Sequence, residues 1–144
     1  MEFNFNDGGR SKYFKGQTGD CVTRAIAIAT GVDYLEVYKA LNNLAKSERI
    51  GKRKKKISNS RTGVYRQTAE KYLESLGWKW KSCMEIGKGC QVHLRESELP
   101  KGRIICRLTR HFTCVVDGVI NDTYDCSREE NRCVYGYYYK EKEK

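Results

Sequence analysis

The chain has 144 residues, of which 39% are hydrophobic and 32% charged, and its formal net charge is +10 at pH 7. This length suits one ordinary domain, here taken as residues 1–144. No apolar run approaches the ~18 residues of a membrane-spanning helix. The N-terminus shows no basic region followed by an apolar stretch, so it does not resemble a signal peptide. We therefore expect a cytoplasmic protein with no membrane contact.

The seven cysteines contain no Cys-x-x-Cys pair, the spacing usual in structural zinc sites. We therefore expect no metal ion and no cofactor. Because disulfides are rare in reducing compartments, most of these cysteines are predicted to be small free core residues.

The stretch from Gly16 to Ile26 follows a polar segment, residues 1–15, that we predict to be an extended lead-in. The pattern of residues 16–26 predicts a tight loop that places Cys21 on the first turn of a helix over about 21–30. Asp20 is a good N-cap residue, the following apolar residues have helical spacing, and Gly31 suits the C-terminal cap.

Cys21 is the candidate nucleophile of the chain. A thiol at a helix N-terminus lies beside unpaired backbone N–H groups and the positive end of the helix dipole. Both features favour the thiolate, which is the nucleophilic form. The alternative is that Cys21 is a small buried apolar residue, as many free cysteines are.

Two more helices are predicted, separated by a strongly basic segment. Asp33 is expected to cap a helix with a buried stripe from Tyr34 to Ala45, and another helix is expected over Val64–Leu76. Residues 47–63 carry seven basic residues and one acid. We call them the basic segment, and the many like charges predict a mobile loop.

The second half of the chain shows the period of strands. Strands are predicted at Trp78–Lys81, Arg103–Leu108 and His111–Val116, then after Asp117-Gly118, and finally at 133–139. Residues 93–101 are expected to form a short helix or loop. Helices first and antiparallel strands second predict an α+β domain in which N-terminal helices pack on a C-terminal antiparallel sheet.

The hairpin around Asp117-Gly118 brings a histidine near a carboxylate. A two-residue turn sets Thr113 opposite Asp122. His111 shares a face with Thr113, so His111 and Asp122 are predicted to point the same way, one diagonal step apart. In a Cys–His system the imidazole takes the thiol proton and a third group orients the ring, which makes His111 the base for Cys21.

Two other residues are candidates for orienting His111 in place of Asp122. A one-residue bulge would exchange the faces of the strand and select Asn121 instead of Asp122. Asp125 lies past the expected strand end. The other histidine, His93, has no Asn or Asp across a hairpin and is expected to be structural.

The segments Asp20–Ile26 and His111–Asp122 together resemble a papain-like cysteine peptidase in minimal form. The first is similar to the Asp-Gly-Asn-Cys-Leu-Phe-Arg-Ala motif of ovarian-tumour-type deubiquitinases. The second is similar to the His-strand-Gly-strand-Asp arrangement of the peptidase domains in bacteriocin exporters. Cysteine on a helix, followed by histidine and Asn or Asp on a sheet, is the chain order of that family.

The resemblance implies a papain-like fold and a thiol hydrolase of phage or mobile-element type. It would cleave a peptide, isopeptide or related amide bond of a protein or peptide substrate through an acyl-enzyme. Carried over by position, Cys21, His111 and Asp122 form the triad. Gln17 and the Cys21 N–H form the oxyanion hole, although Gln17 precedes the cysteine by four residues and the papain glutamine by six.

The basic segment supports other functions. Lys52, Arg53, Lys54, Lys55 and Lys56 could bind nucleic acid through phosphates, although no aromatic residue accompanies them for stacking. They could also steer an acidic partner toward the site, or form a solvated loop. A non-catalytic inhibitor or interaction protein on a papain-like scaffold is the remaining alternative.

Overall fold

The computed structural model describes residues 1–141, which contain three α-helices and six β-strands. In chain order these are β1 (Glu2–Phe5), α1 (Cys21–Thr30), α2 (Tyr34–Ala45), α3 (Arg66–Ser75), β2 (Trp78–Ser82), β3 (Arg103–Leu108), β4 (His111–Val116), β5 (Val119–Asp122) and β6 (Gly136–Lys140). Single 3-10 turns lie at Arg10–Lys12 and Glu96–Glu98. The class is α+β, as predicted.

The helices begin and end near the predicted residues. Helix α1 starts at Cys21 and ends against Gly31, whose φ of 76° is the left-handed conformation that glycine adopts easily. The Asp33 side chain caps α2 by accepting a hydrogen bond from the Leu35 N–H. Helix α3 is shorter than the predicted 64–76 at its N-terminal end. None of the helices in residues 1–141 combines the length and apolar character that a membrane crossing requires.

The sheet has the strand order β1-β5-β4-β3-β6-β2 and is mixed. Its other neighbours are antiparallel, but β1 pairs in parallel with β5. The sequence predicted that the sheet is antiparallel and C-terminal, and that residues 1–15 form an extended lead-in. Both predictions are wrong for β1, which is N-terminal and joins the sheet as a parallel strand. Side chains add to the backbone pairing of β1 with β5, because Asn4 and Asn6 both donate hydrogen bonds to the Asn121 Oδ1 atom.

The β4–β5 hairpin has the predicted two-residue turn. Val116 pairs with Val119 and Cys114 with Asn121. The same register, extended by one residue, sets Thr113 opposite Asp122. Asp117 and Gly118 have φ values of 47° and 80°, the signs that a type I′ hairpin turn needs at both central positions. The register prediction is confirmed.

Two hydrophobic cores occupy opposite faces of the sheet. The first packs α1, α2 and α3 against Phe112, Cys114 and Tyr138. The second includes Val115, Ile120 and Cys126. Because successive residues of β4 alternate between the two cores, the strand is buried on both faces.

Cys90 and Cys133 form a disulfide, so the prediction of free cysteines is wrong for this pair. The segments meet because His93 and Cys133 form a β-bridge and the Val134 N–H donates to the Val92 carbonyl. Residues 133 and 134 pair with residues 92 and 93, and strand β6 begins at Gly136 instead of the predicted residue 133. The other cysteines are free, and Cys106, Cys114 and Cys126 are buried as predicted.

The basic segment contains no helix or strand of its own, but its second half is packed rather than mobile. Ser58 and Ser60 are buried. The Ser60 hydroxyl donates to the Tyr38 carbonyl on α2, and the Ser60 carbonyl accepts from the Thr23 hydroxyl on α1. The prediction of a mobile loop is wrong for these residues, because serine hydroxyls and backbone groups replace the missing apolar contacts.

A single carboxylate, Glu48, organises this packing. It accepts hydrogen bonds from the Ser58 N–H at 2.6 Å and from the Ser58 and Thr68 hydroxyls. Lys54 lies 3.6 Å away. Burial raises the pKa of Glu48, but the hydrogen bonds from Ser58 and Thr68 outweigh it, and the net pKa is lowered.

We expect Glu48→Gln to lower the free energy of unfolding by about 1–3 kcal/mol, because buried donors lose a charged acceptor. A carboxyl group with a lowered pKa stabilises the fold above its unfolded pKa, and this contribution is lost as the pH falls. Urea unfolding at several pH values measures both effects. The exposed Glu74→Gln is the matched control; equal losses in the two variants would contradict the anchoring role.

Candidate active site

A cleft of about 800 Å³ opens at the end of the sheet where β3 turns into β4. Cys21 and Val22 enter it from the N-terminus of α1, and His111 and Phe112 enter it from the start of β4. Thr62 and Gly63 of the basic segment line the facing side. Hydrogen bonds hold that side in place, since the Thr18 hydroxyl donates to the Arg61 carbonyl at 3.0 Å.

His111 and Asp122 are buried and hydrogen-bonded. The His111 Nε2 atom lies 2.7 Å from the Asp122 Oδ2 atom. The same carboxylate accepts from the Thr113 hydroxyl at 2.8 Å and from the Thr123 N–H at 2.7 Å. With Nε2 occupied by Asp122, Nδ1 is the ring nitrogen left for the thiol.

The electrostatics favour an ion pair of thiolate and imidazolium. Burial raises the pKa of the Cys21 thiol, but hydrogen bonding and charge from His111, the Phe112 N–H and the Arg24 charge outweigh it, and the net pKa is lowered. Burial lowers the pKa of His111, but hydrogen bonds to Asp122, Cys126 and Cys21 raise it well above its usual range. Both shifts favour transfer of the thiol proton to the imidazole.

Asp20 has a different role from the predicted helix cap. Its side chain makes no hydrogen bond to the backbone of α1. It forms ion pairs with Arg24 and, at 3.2 Å, with Arg10, and it accepts from the Tyr34 hydroxyl at 2.6 Å. Arg24 also reaches the Asp122 Oδ1 atom at 3.4 Å. Burial, and then the hydrogen bond to Asp20 and the Asp20 charge, raise the pKa of Tyr34.

This charge network was not predicted, although the sequence carries one signal for it. Asp20 and Arg24 have the i, i+4 spacing that places opposite charges side by side on a helix. Arg10 and Tyr34 carried no such signal, because their contacts depend on how distant segments pack.

Gln17 is not brought to the cleft. It is exposed and lines a neighbouring cavity with Phe5 and Arg10, so the geometry gives no support to its predicted oxyanion role. The donors that do lie beside the thiol are backbone groups. Because the Asp20 side chain does not cap α1, the first N–H groups of the helix are left for an oxyanion.

The other predicted rivals are also separated from His111. Asn121 faces β1 through Asn4 and Asn6. Asp125 is exposed and accepts from the Ser127 N–H. His93 lies 3.3 Å from Glu98, away from the cleft. The geometry therefore selects Asp122 as the neighbour of the imidazole, while the catalytic roles remain predictions.

Two further residues surround His111 that sequence reasoning did not find. The Tyr124 ring lies 5.3 Å from the imidazole ring and lines the cleft. The Cys126 thiol lies within 4.8 Å of ligand atoms of His111 and Asp122, all three residues being buried. Zinc uses these ligand types, but an ion held by all three would have to replace the 2.7 Å His111–Asp122 hydrogen bond.

Compared with known proteins, the chain matches no protein-family model, no curated protein and no solved structure.

We expect Cys21 to be alkylated by iodoacetamide at pH 6 at least about tenfold faster than Cys83, because only the thiolate reacts and an ordinary thiol is almost fully protonated there. Cys83 is the matched control, since it is also partly buried and burial raises its pKa. Mass spectrometry of the labelled peptides measures both rates. A Cys21 rate that does not exceed the Cys83 rate, or does not fall in His111→Ala, would refute the ion pair.

We expect Asp20→Asn to lower the free energy of unfolding by about 3–5 kcal/mol, because Arg10 and Arg24 would keep buried charges without their partner. Urea unfolding followed by circular dichroism measures this loss. Asp125→Asn is the control, since Asp125 is exposed and an amide oxygen can still accept from the Ser127 N–H. A similar small loss in both variants would show that Asp20 is not the anchor.

Proposed function

We propose that the protein is a papain-like thiol hydrolase that cleaves a peptide, isopeptide or related amide bond through an acyl-enzyme on Cys21. The observation that carries this proposal is a buried imidazole, His111, that is hydrogen-bonded to a carboxylate and lines one open cleft together with Cys21 at the start of a helix. This arrangement is what a Cys–His nucleophile requires.

The reaction follows from the roles of these groups. The Cys21 thiolate attacks the substrate carbonyl carbon and forms a C–S bond, and N–H groups at the start of α1 stabilise the oxyanion. The His111 imidazolium gives its proton to the leaving amine as the C–N bond breaks. His111 then takes a proton from the water that attacks the thioester carbonyl. The C–S bond breaks, which releases the acid and leaves the Cys21 thiolate beside the imidazolium again.

Asp122 is assigned the orienting role. Its Oδ2 atom fixes the ring of His111 from the Nε2 side and stabilises the positive charge that the imidazolium carries. Thr113 and Arg24 hold the carboxylate from two directions. The carboxylate is therefore positioned before substrate binds, which lowers the cost of reaching the reactive geometry.

The pKa shifts give the form of the pH dependence. The thiol pKa is lowered and the imidazole pKa is raised. The reactive ion pair therefore forms as the pH rises through the thiol pKa and is lost as it rises through the imidazolium pKa. A plot of activity against pH is expected to be bell-shaped, with its plateau between the two pKa values.

The papain-like assignment is supported by chain order, with Cys21 opening the helix that packs on the sheet and His111 and Asp122 on adjacent strands. A protein or peptide substrate belongs to the same proposal. The cytoplasmic location expected from the sequence receives no support from the Cys90–Cys133 disulfide, because a reducing compartment disfavours such a bond. Nucleic-acid binding through Lys52–Lys56 receives less support, because Lys54 is already engaged by Glu48 and by the Tyr65 ring at 4.2 Å.

We expect Asp122→Asn to lower kcat by about 10²- to 10⁴-fold, because an amide holds the imidazole without stabilising its charge. Asn121→Ala is the matched control, since it lies next in the chain and contacts β1 instead of His111. Turnover is measured on a pool of fluorogenic peptide amides, and the acyl-enzyme by intact mass. Cys21→Ser should lose the thioester.

Each result of this experiment bears on the proposal. An acyl adduct on Cys21, with a large loss in Asp122→Asn and a small one in Asn121→Ala, supports the triad. The reverse ranking of the two variants would assign the orienting role to Asn121. Failure of a cysteine-directed activity probe to label Cys21 in the folded protein would refute the hydrolase and favour a non-catalytic interaction protein.

A further inference from the structure

The cleft beside Cys21 carries an unusual arrangement of charge. Four arginines line it, namely Arg24, Arg66, Arg107 and Arg110, and none of its lining residues within 1–141 is an Asp or Glu. We infer that the cleft selects peptide substrates with acidic side chains close to the cleaved bond, and that Arg107 and Arg110 bind these side chains. This inference rests on the proposed function for turnover, but the binding preference can be measured without it.

The four arginines are not equivalent. Arg24 is buried and bound by Asp20 and Asp122, so its charge is neutralised within the site. Arg66 lies 3.8 Å from Glu70 and stacks on the Trp80 ring at 4.4 Å, which holds it as part of the cleft wall. The charge that remains for a ligand therefore lies mainly on Arg107 and Arg110.

Arg107 is held in place but has no acidic partner. It pairs with Phe112 on β4 and with Gly136 on β6, and its guanidinium lies 5.7 Å from the centre of the Tyr135 ring. Within residues 1–141, no carboxylate forms an ion pair with it. A planar cation fixed beside an aromatic ring in this way is prepared to bind a carboxylate with two parallel hydrogen bonds.

Arg110 supplies an independent observation. It is exposed in the two-residue turn between β3 and β4, directly before His111, and its backbone has φ of 53°. Glycine adopts this backbone conformation more easily than arginine. Replacing Arg110 with glycine therefore removes the charge beside His111 without adding backbone strain.

The basic segment extends the same charge to the rim of the cleft. Thr62 and Gly63 line the cleft, and Arg61 immediately precedes them. Arg61 is exposed, and a positive charge next to the cleft would raise the rate at which an acidic segment meets the site.

A peptide carboxylate fits the site better than a nucleic acid. The guanidinium fork of arginine matches carboxylate and phosphate equally well, so charge alone does not separate them. Cys21 and His111, however, line the same cleft, and a cysteine nucleophile activated by histidine acts on an acyl carbon. A peptide offers amide carbonyls beside its acidic side chains, whereas the backbone of a nucleic acid has no amide bond.

The experiment uses the full chain carrying Cys21→Ala, so that binding is measured without turnover. The probes are two fluorescent decapeptides of the same length, one with four Glu and one with four Gln at the same positions, and a fluorescent decauridylate. Arg107→Gln and Arg110→Gly are compared with Arg128→Gly. Arg128 is the matched control because it is also an exposed arginine, has φ of 52°, and lies outside the cleft.

We expect the Glu peptide to bind more tightly than the Gln peptide, and Arg107→Gln and Arg110→Gly each to weaken its binding about three- to tenfold, an effect that salt reduces. Arg128→Gly should change it by less than about twofold. Since glycine relieves the strain at both turns, the two glycine variants should be at least as stable as their parent, and thermal unfolding checks this.

Three results would overturn the inference. One is equal affinity for the Glu and Gln peptides, and a second is equal weakening by Arg110→Gly and Arg128→Gly. The third is tighter binding of decauridylate with the same dependence on Arg107 and Arg110, which would assign the cleft to nucleic acid. Cleavage of both peptides at equal rates would refute only the acidic preference, whereas a Glu-specific affinity without any hydrolysis by the unmutated chain would refute only the proposed reaction.

Discussion

The buried carboxylate of Asp20 is the constraint on which the candidate site depends. It is 1% exposed and satisfied by two guanidinium groups and a tyrosine hydroxyl. Burying such charges is costly unless each has partners. Here positive and negative groups alternate from Arg10 through Asp20 and Arg24 to Asp122, which adjoins His111. The same contacts that compensate this cost therefore fix the start of α1 against the end of β5.

This network also explains how a helix and a hairpin distant in sequence act as one site. Cys21 follows Asp20 directly, so anchoring the carboxylate also places the thiol. Arg24 lies one turn further along α1, contacts Asp122, and contributes to the lowered pKa of Cys21. Moving a proton from the thiol to His111 separates charge without changing the total charge of the network. The surrounding protein can therefore stabilise the ion pair without gaining or losing a counterion.

The parts of the fold that could be predicted are those that short-range rules determine. The α1 bounds follow from spacing and from Gly31, and the His111–Asp122 pairing follows from a two-residue turn and the alternation of strand side chains. The parallel strand β1, the Cys90–Cys133 bond and the packing of Ser60 depend on contacts between distant segments. The role of Gln17 was carried over by position alone, and the residue lines a neighbouring cavity instead of the cleft at Cys21.

Strand β5 shows how closely the site and the fold are connected. Its two final residues point to opposite faces: Asn121 binds Asn4 and Asn6 and so holds β1, and Asp122 binds His111 and Thr113. Because a strand alternates with a period of two, a slip of one residue would exchange these side chains. The edge strand would lose its amide partner, and the imidazole would lose its carboxylate, in the same step. The Asp117-Gly118 turn, which sets this register, therefore contributes to both the integrity of the sheet and the geometry of the candidate active site.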